Sequence, residues 1–421
     1  MIDLKYLVNI SSRKKYALMI RETFLNLFKS KFSKLKHEEL IILSINAFKK
    51  HFKNHIVCHL GEVGGSVDAE AYKFKINIDN KELYCALKLI PLIHSESNKI
   101  MDLNYKSWKE LYILKMIYNL IKNHNCPNVP IIYLYFICNQ CKLCDYINPN
   151  IIKYYNNLSI RKNLENDKSK KDILKKMNNK KGFGNNSLCI LNELCDSSLK
   201  DILTNNYIEQ INDSMFNSFI FQIISGIYSI HKLAKICHFD LHGGNILISN
   251  VELNGYWLYN INNNDYYIPN YGYILKIWDF GRSMIIDTDD FSDIKCQIIH
   301  QCKRFYKDHF SKDDKLEKKI YRKLNKSNIK IILFAFDLWR IISYLYSKFK
   351  KDNYLSLKFT NTLYLLTKIK KDCENNWVQL MFNSTEISNT PEIFVNYLFN
   401  KYFNEYKTTQ KDLINKKKYS I

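Results

Sequence analysis

CHFDLHGGNILI, residues 237–248, sets a histidine (His238), an aspartate (Asp240) and an asparagine (Asn245) in one short stretch, with the asparagine five positions after the aspartate. A further carboxylate follows in LKIWDFGRS, residues 275–283, where Asp279 precedes Phe280 and Gly281. The apolar residues after Asn245 and before Asp279 read as short strands, which would bring the three oxygen-bearing side chains together. One amide oxygen and one carboxylate suffice for Mg²⁺, a hard cation that takes oxygen ligands and keeps several waters. A second carboxylate can then reach an acceptor hydroxyl. This division of labour is what phosphoryl transfer requires, because that chemistry consists mainly of placing oxygens in line and neutralising charge.

With these residues at these spacings the chain resembles the eukaryotic-type protein kinase superfamily, whose catalytic loop reads His-Arg-Asp with Asn five further on, then Asp-Phe-Gly. The resemblance implies an α+β, bilobal protein-kinase-like fold with a strand-rich N-lobe, a helical C-lobe and ATP between them. It gives Asp240 the role of catalytic base or hydroxyl-orienting group, assigns Asn245 and Asp279 to magnesium, and makes His238 structural. Phe239 replaces the arginine that usually receives an activation-loop phosphate, so that form of control is not expected. His242 stands where serine/threonine kinases usually carry lysine, which leaves the acceptor type open. Asp-Leu-His-x-Gly-Asn also resembles haspin-type and small-molecule kinases.

Upstream, Lys88 in CALKLI, residues 85–90, stands where the family has its phosphate-pairing strand lysine, and an inward lysine needs an anionic partner. Glu110 in SWKELYILKMI is the preferred partner because apolar residues follow it at helical spacing; Glu96 is the alternative. GGSVDAEAYK, residues 64–73, can be laid on the family's glycine-rich loop, keeping Gly64 but offering Ser66, Ala69 and Ala71 at later positions. Glycine lets backbone amides approach phosphates more freely than Ser or Ala does. Gly61 and Gly65 lie close by, so the register is open. ILNELCDSSLKDIL, residues 190–203, resembles the inter-lobe hinge, making the Glu193 carbonyl and the Cys195 amide the adenine contacts, with Asn192 as gatekeeper. A polar residue there needs a hydrogen-bond partner when buried.

Downstream, FAFDLWRIISYL, residues 334–345, resembles the hydrophobic helix beneath the catalytic loop, with Asp337 as its buried anchor; a solvent-facing Asp on an amphipathic helix is the other reading. The Ala-Pro-Glu that normally closes the activation segment is missing between Gly281 and Asp337. Cys138, Cys141 and Cys144, with Cys126 as a fourth, have metal-ligand spacing, but three in a row after an apolar strand read more readily as thiols than as a zinc site. YYIPNYGYILKIWDFG, within a Lys/Asn/Ile-rich composition, resembles divergent serine/threonine kinases of giant DNA viruses. The wider kinase resemblance covers about residues 57–345.

The remaining chain is read around this centre. Residues 1–55 form a basic helical N-terminal extension, with Phe24, Leu27, Phe28 and Phe32 at helical spacing. Residues 56–192 form the N-lobe, with strands at AYKFKINI and ELYCALKLI joined at Asp79-Asn80 and a polar insertion at 148–186. Residues 193–421 hold the hinge and C-lobe, with an insertion at 250–270 and a basic tail. Among 421 residues, 63 Lys and Arg stand against 41 Asp and Glu, a net charge of +22, while 46% are hydrophobic, enough to exclude wholesale disorder. The lysines are dispersed and no nucleic-acid fold signature accompanies them, so a nucleic-acid partner has no motif behind it. An acidic protein substrate fits the charge. The longest apolar run, Ile331 to Tyr346, contains Asp337 and Arg340, so no transmembrane span is expected. No signal peptide opens the chain, and an intracellular, reducing compartment (cytoplasm, or the virion of a virus) suits its twelve cysteines.

The chemistry expected is transfer of the ATP γ-phosphoryl group to Ser/Thr hydroxyls of proteins. A small-molecule or lipid kinase, or a pseudokinase scaffold, is the alternative.

Overall fold

Alternation of apolar and polar residues between positions 70 and 93 builds the hairpin that carries Lys88. The structure, a computed structural model, describes residues 13, 15, 17–22, 41–44, 56–62, 69–78, 81–123, 125–139, 183–204, 206–253, 255–287, 289–305, 314–326, 328–382, 390–407 and 413–420. Six strands form the first sheet: β1 (Ile41–Ser44), β2 (Ile56–Glu62), β3 (Glu70–Ile78), β4 (Lys81–Ile93), β5 (Ile132–Asn139) and β6 (Phe183–Glu193). Their order is β1-β5-β6-β4-β3-β2. β1 runs parallel to β5, and the other neighbours are antiparallel. Leu83, Cys85, Leu87 and Leu89 are buried along one face of β4, so the period of two puts Lys88 on the other. Lys88 lies opposite Ala71 of β3 and Ile190 of β6.

After β4 come α1 (His94–Asn98) and α2 (Lys106–Lys122). Ser107, Glu110, Leu114, Ile117 and Ile121 recur at three- and four-residue steps on α2, and all are buried. Glu110 therefore belongs to the inward stripe of its helix.

The second half is mainly helical, with small sheets that hold the loops. α3 (Leu199–Ile202) follows the two-residue strand β7 (Ser197–Ser198), and Ser198 and Asp201 form a reciprocal capping box. α4 (Asp213–Ser229) starts at Asn212, whose side chain accepts from the Met215 amide, and continues into a π turn at Ile230–Ala234. Beyond it lie β8 (Ile236–Cys237), β9 (Ile246–Asn250), β10 (Tyr256–Ile261), β11 (Asn264–Pro269), β12 (Tyr273–Ile277) and β13 (Met284–Ile285). β9 and β12 pair antiparallel with Ile246 opposite Ile277, and β8 pairs with β13. The helices α5 (Phe291–Phe305), α6 (Asp314–Lys323), α7 (Ile329–Lys351), α8 (Asn353–Lys358), α9 (Thr360–Phe382) and α10 (Pro391–Tyr402) follow, then β14 (Leu413–Ser420).

Three sequence expectations change. Within residues 1–55, Ile41–Ser44 is a strand rather than helix, because its backbone pairs with Phe136 to Asn139 of β5. The insertion at 250–270 is an ordered hairpin: Asn262 and Asn263 take positive φ values of 48° and 66°, the two-residue turn that suits antiparallel twist. Phe221 of α4 packs against Tyr259, Tyr266, Phe399 and Phe403 at ring-centroid distances of 4.7–5.6 Å, which ties the hairpin to α10. Residues 183–186, assigned to the polar insertion, begin β6; 148–182 lie outside the described residues.

The fold is thus mixed α+β. Met1–Tyr118 with Pro130–Cys195 forms one unit, and Asn119–Val129 with Asp196–Ile421 forms the other. No helix among the described residues is long and apolar enough to cross a membrane.

Candidate functional site

In the first unit, Lys88 Nζ lies 2.5 Å from Glu110 Oε1, with both side chains buried. Burial of two opposite charges is tolerable only when they meet, and β4 and α2 deliver them to each other. Glu96, the alternative partner, accepts the Ser107 hydroxyl at 3.1 Å and receives the Trp108 indole N–H on its carbonyl. Of the loop residues, Ala69 is buried, while Gly64 and Ser66 lie outside the described residues.

At the end of β6, the Glu193 amide donates to the Ile131 carbonyl at 2.9 Å. Its carboxylate takes two bonds from Arg13, at 3.0 and 2.7 Å, and one from the Ile131 amide. Arg13 was missed in the sequence, since nothing local marks one arginine in a basic segment as buried. Cys195 is half-buried. Asn192 is buried and its Oδ1 lacks a hydrogen-bond partner among the described residues.

In the second unit, Asp337 of α7 organises the loop before Asn245. It is fully buried and accepts from the His238 amide at 2.6 Å, the Phe239 amide at 2.8 Å and His231 Nε2 at 2.9 Å. Burial alone would raise its pKa, but the hydrogen bond and charge of His231, with help from His238, hold it below the ordinary carboxylate value. Phe239 adopts φ 61°, a left-handed conformation costing about 1–3 kcal/mol, and the two amide bonds to Asp337 hold it there. His231, Cys237 and Asp337 lie close enough to suggest a metal cluster, yet the carboxylate is already filled by these bonds.

Asn245 Nδ2 donates to the Asp240 carbonyl at 2.9 Å, leaving Oδ1 as the type of atom that a hard cation accepts. The Trp278 amide donates to the Asn245 carbonyl at 2.9 Å, extending the β9–β12 ladder, so Asn245 and the residue before Asp279 are fixed to one another. His238 Nε2 bonds the Trp278 carbonyl at 2.9 Å and its ring lies 5.0 Å from that of Phe280. Asp279 itself has φ 63°, a second strained residue in the site. Asn128 steadies β12 from beneath: its Nδ2 donates to the Leu275 carbonyl, and its own carbonyl accepts from the Ile277 amide, both at 2.9 Å.

The Asp240 carboxylate is flanked by two guanidinium groups that the sequence reading did not assign. Arg340 Nη2 approaches Oδ1 at 3.2 Å, and Arg282 Nε approaches Oδ2 at 3.5 Å. Arg340 also lies 4.5 Å from the centroid of Phe305, the last residue of α5. The available signal was position: Arg340 follows Asp337 by three residues, hence shares its helix face. His242 Nδ1 accepts from the Gly244 amide at 3.1 Å, and burial holds its pKa below 6.5 against the pull of Asp240. A Cβ at Gly243 would come within 2.5 Å of the Tyr344 ring, so any larger residue there displaces that side chain.

Two of the four cysteines considered for zinc lie among the described residues. Cys126 is a buried thiol and Cys138 is disulfide-bonded, while Cys141 and Cys144 lie outside the described residues.

No family model matches the chain. It is similar to a "Probable serine/threonine-protein kinase 380R" of Invertebrate iridescent virus 6, 25% identical over 225 residues, covering 52% of this chain and 35% of the relative. It is 26% identical to the uncharacterized protein R403 of Acanthamoeba polyphaga mimivirus over 246 residues, covering 47% of this chain and 31% of that one. With the uncharacterized protein C717R of African swine fever virus it shares 23% identity over 186 residues, 38% of this chain and 26% of the relative. The chain thus spans about a third or less of the length of these viral relatives, one of them named a probable serine/threonine kinase, and its likeness to them is distant and partial.

Proposed function

We propose that the chain has a bilobal protein-kinase-like fold and transfers the γ-phosphoryl group of ATP to serine or threonine hydroxyls of protein substrates. The observation that carries this reading is the loop 238–245, held by Asp337 with Asp240 and Asn245 fixed at the end of the β9–β12 ladder that leads to Asp279. The distant likeness to a viral protein named a probable serine/threonine kinase supports it.

In this reading Lys88, oriented by Glu110, binds the phosphates of the nucleotide. The backbone at Glu193 and Cys195, with Asn192 Oδ1, faces adenine, and the segment of Gly64, Ser66 and Ala69 covers the phosphates. Asn245 and Asp279 hold magnesium, which when bound neutralises charge on the phosphate oxygens. Asp240 orients the acceptor hydroxyl and takes up its proton. His242 contributes no fixed positive charge where the family has lysine, because burial favours its neutral form; Arg340 and Arg282 supply cationic charge at Asp240 instead. With Ala-Pro-Glu absent, residues 291–305 form α5, whose Phe305 stacks on Arg340.

Label transfer from γ-labelled ATP to casein and basic proteins, beside small alcohols, tests this. Label on protein serine or threonine is expected. Label confined to the alcohols favours a small-molecule kinase, the reading suggested by Asp-Leu-His-Gly-Gly-Asn and the missing Ala-Pro-Glu. No transfer, together with no thermal stabilisation by Mg-ATP, favours a scaffold.

A further inference from the structure

Beside the catalytic loop, within the second unit, lies a cavity of about 890 Å³ lined by residues that the phosphoryl-transfer reading leaves largely unused. Leu241 and His242 of the loop contribute to it, but much of its lining comes from one face of α7, with Lys370 from α9. Its charge is lopsided. Arg340, Lys348, Lys351 and Lys370 line it against the lone carboxylate Asp352, which is already engaged as the cap of α8 by accepting the Leu355 amide. Lys370 pairs with Glu374 at 2.5 Å and Arg340 with Asp240, while Lys348 and Lys351 have no ion pair among the described residues.

A second, independent observation concerns polar atoms on the same lining. Arg340 Nε, Ser343 Oγ and Tyr344 Oη are buried and lack hydrogen-bond partners among the described residues. A buried donor left without an acceptor costs about 1–3 kcal/mol, and because these three atoms are sealed beneath the lining, a ligand satisfies them only if side chains on this face of α7 shift on binding. The missing chemistry is specific: the donors need oxygen lone pairs, and the excess cations need negative charge. Arg340 joins this lining to Asp240, so the cavity lies beside the carboxylate assigned to the acceptor hydroxyl.

We propose that this cavity receives an anionic side chain of the protein substrate, a phosphorylated residue or a glutamate or aspartate close to the acceptor. The inference rests on the protein-kinase reading and names its substrate class.

The test uses the full chain and a peptide series with one acceptor serine and a neighbouring position occupied by phosphoserine, glutamate or glutamine. Wild type is expected to favour phosphoserine over glutamine by about tenfold in kcat/KM, with glutamate between them. In Lys348→Glu/Lys351→Glu that order is expected to disappear, mainly through KM. Binding of the same peptides with alanine at the acceptor, followed by fluorescence anisotropy, reads the cavity without turnover. Ser343→Ala is the second variant: it removes an unpartnered hydroxyl, so it should keep its melting temperature yet bind phosphopeptide more weakly. Equal turnover of all three peptides by wild type would overturn the inference and leave the kinase reading standing. Phosphopeptide binding that depends on Lys348 and Lys351, with no transfer to any peptide, would support the anion cavity and sink the kinase reading. Displacement of the phosphopeptide by an oligonucleotide at lower concentration than by free phosphopeptide would also overturn the inference.

Discussion

Lys88 and Asp240 are both charged groups among apolar neighbours, but their charges are compensated differently. Lys88 is 2% exposed and meets Glu110, itself 4% exposed, where water cannot replace a lost partner. Asp240 has guanidinium groups at both oxygens, one from mostly buried Arg340 and one from exposed Arg282. The first arrangement fixes one geometry at the cost of tolerance to substitution. The second spreads compensation over two partners of unequal burial, so each can be lost separately with less damage.

The largest effect is expected where the lost partner leaves a sealed charge. Lys88→Ala should destabilise the fold by about 3–5 kcal/mol in urea unfolding, because Glu110 would lose the buried cation that it pairs with. Lys88→Met with Glu110→Leu should recover most of that stability while phosphoryl transfer stays lost. If the single variant unfolds at the same urea concentration as wild type, the pair is not sealed as described.

Asp240 should respond in two grades. Arg340→Ala removes an ion pair and the packing on Phe305, and should cost about 2 kcal/mol. Arg282→Ala removes an exposed pair and should stay within about 0.5 kcal/mol of wild type. Equal losses from the two would erase the asymmetry.

A smaller effect sharpens the same contrast through pH. The folded-state pKa of His242 lies below 6.5, so on acidification the unfolded chain takes up this proton first. Its contribution to stability is therefore full above pH 6.5 and falls as the pH drops from there toward the lowered folded value. His242→Asn should flatten that limb of the stability profile in urea titrations between pH 7 and 5; an unchanged limb would place the titration elsewhere.

These features differ in how far the sequence disclosed them. The alternation in ELYCALKLI marks β4 and the inward lysine, and the helical period after Glu110 marks its stripe, because both patterns are local. The five-residue step from Asp240 to Asn245 is local as well. Arg13, Arg282 and Arg340 were not assigned because their partners lie 180, 42 and 100 positions away, and a basic composition hides which arginine turns inward. Ile41–Ser44 was misread because its apolar residues fit helix and strand equally, and pairing with β5 decides between them. The Asn262-Asn263 turn could have been read, since two successive asparagines tolerate positive φ and are flanked by strand-forming residues.

The most direct test compares label transfer from γ-labelled ATP to a serine/threonine peptide library by wild type and Asp240→Asn, with both proteins shown to unfold at similar urea concentrations. The account predicts label on the peptides with wild type and a fall of about 10²–10⁴-fold in the variant. Undiminished transfer by Asp240→Asn would contradict it.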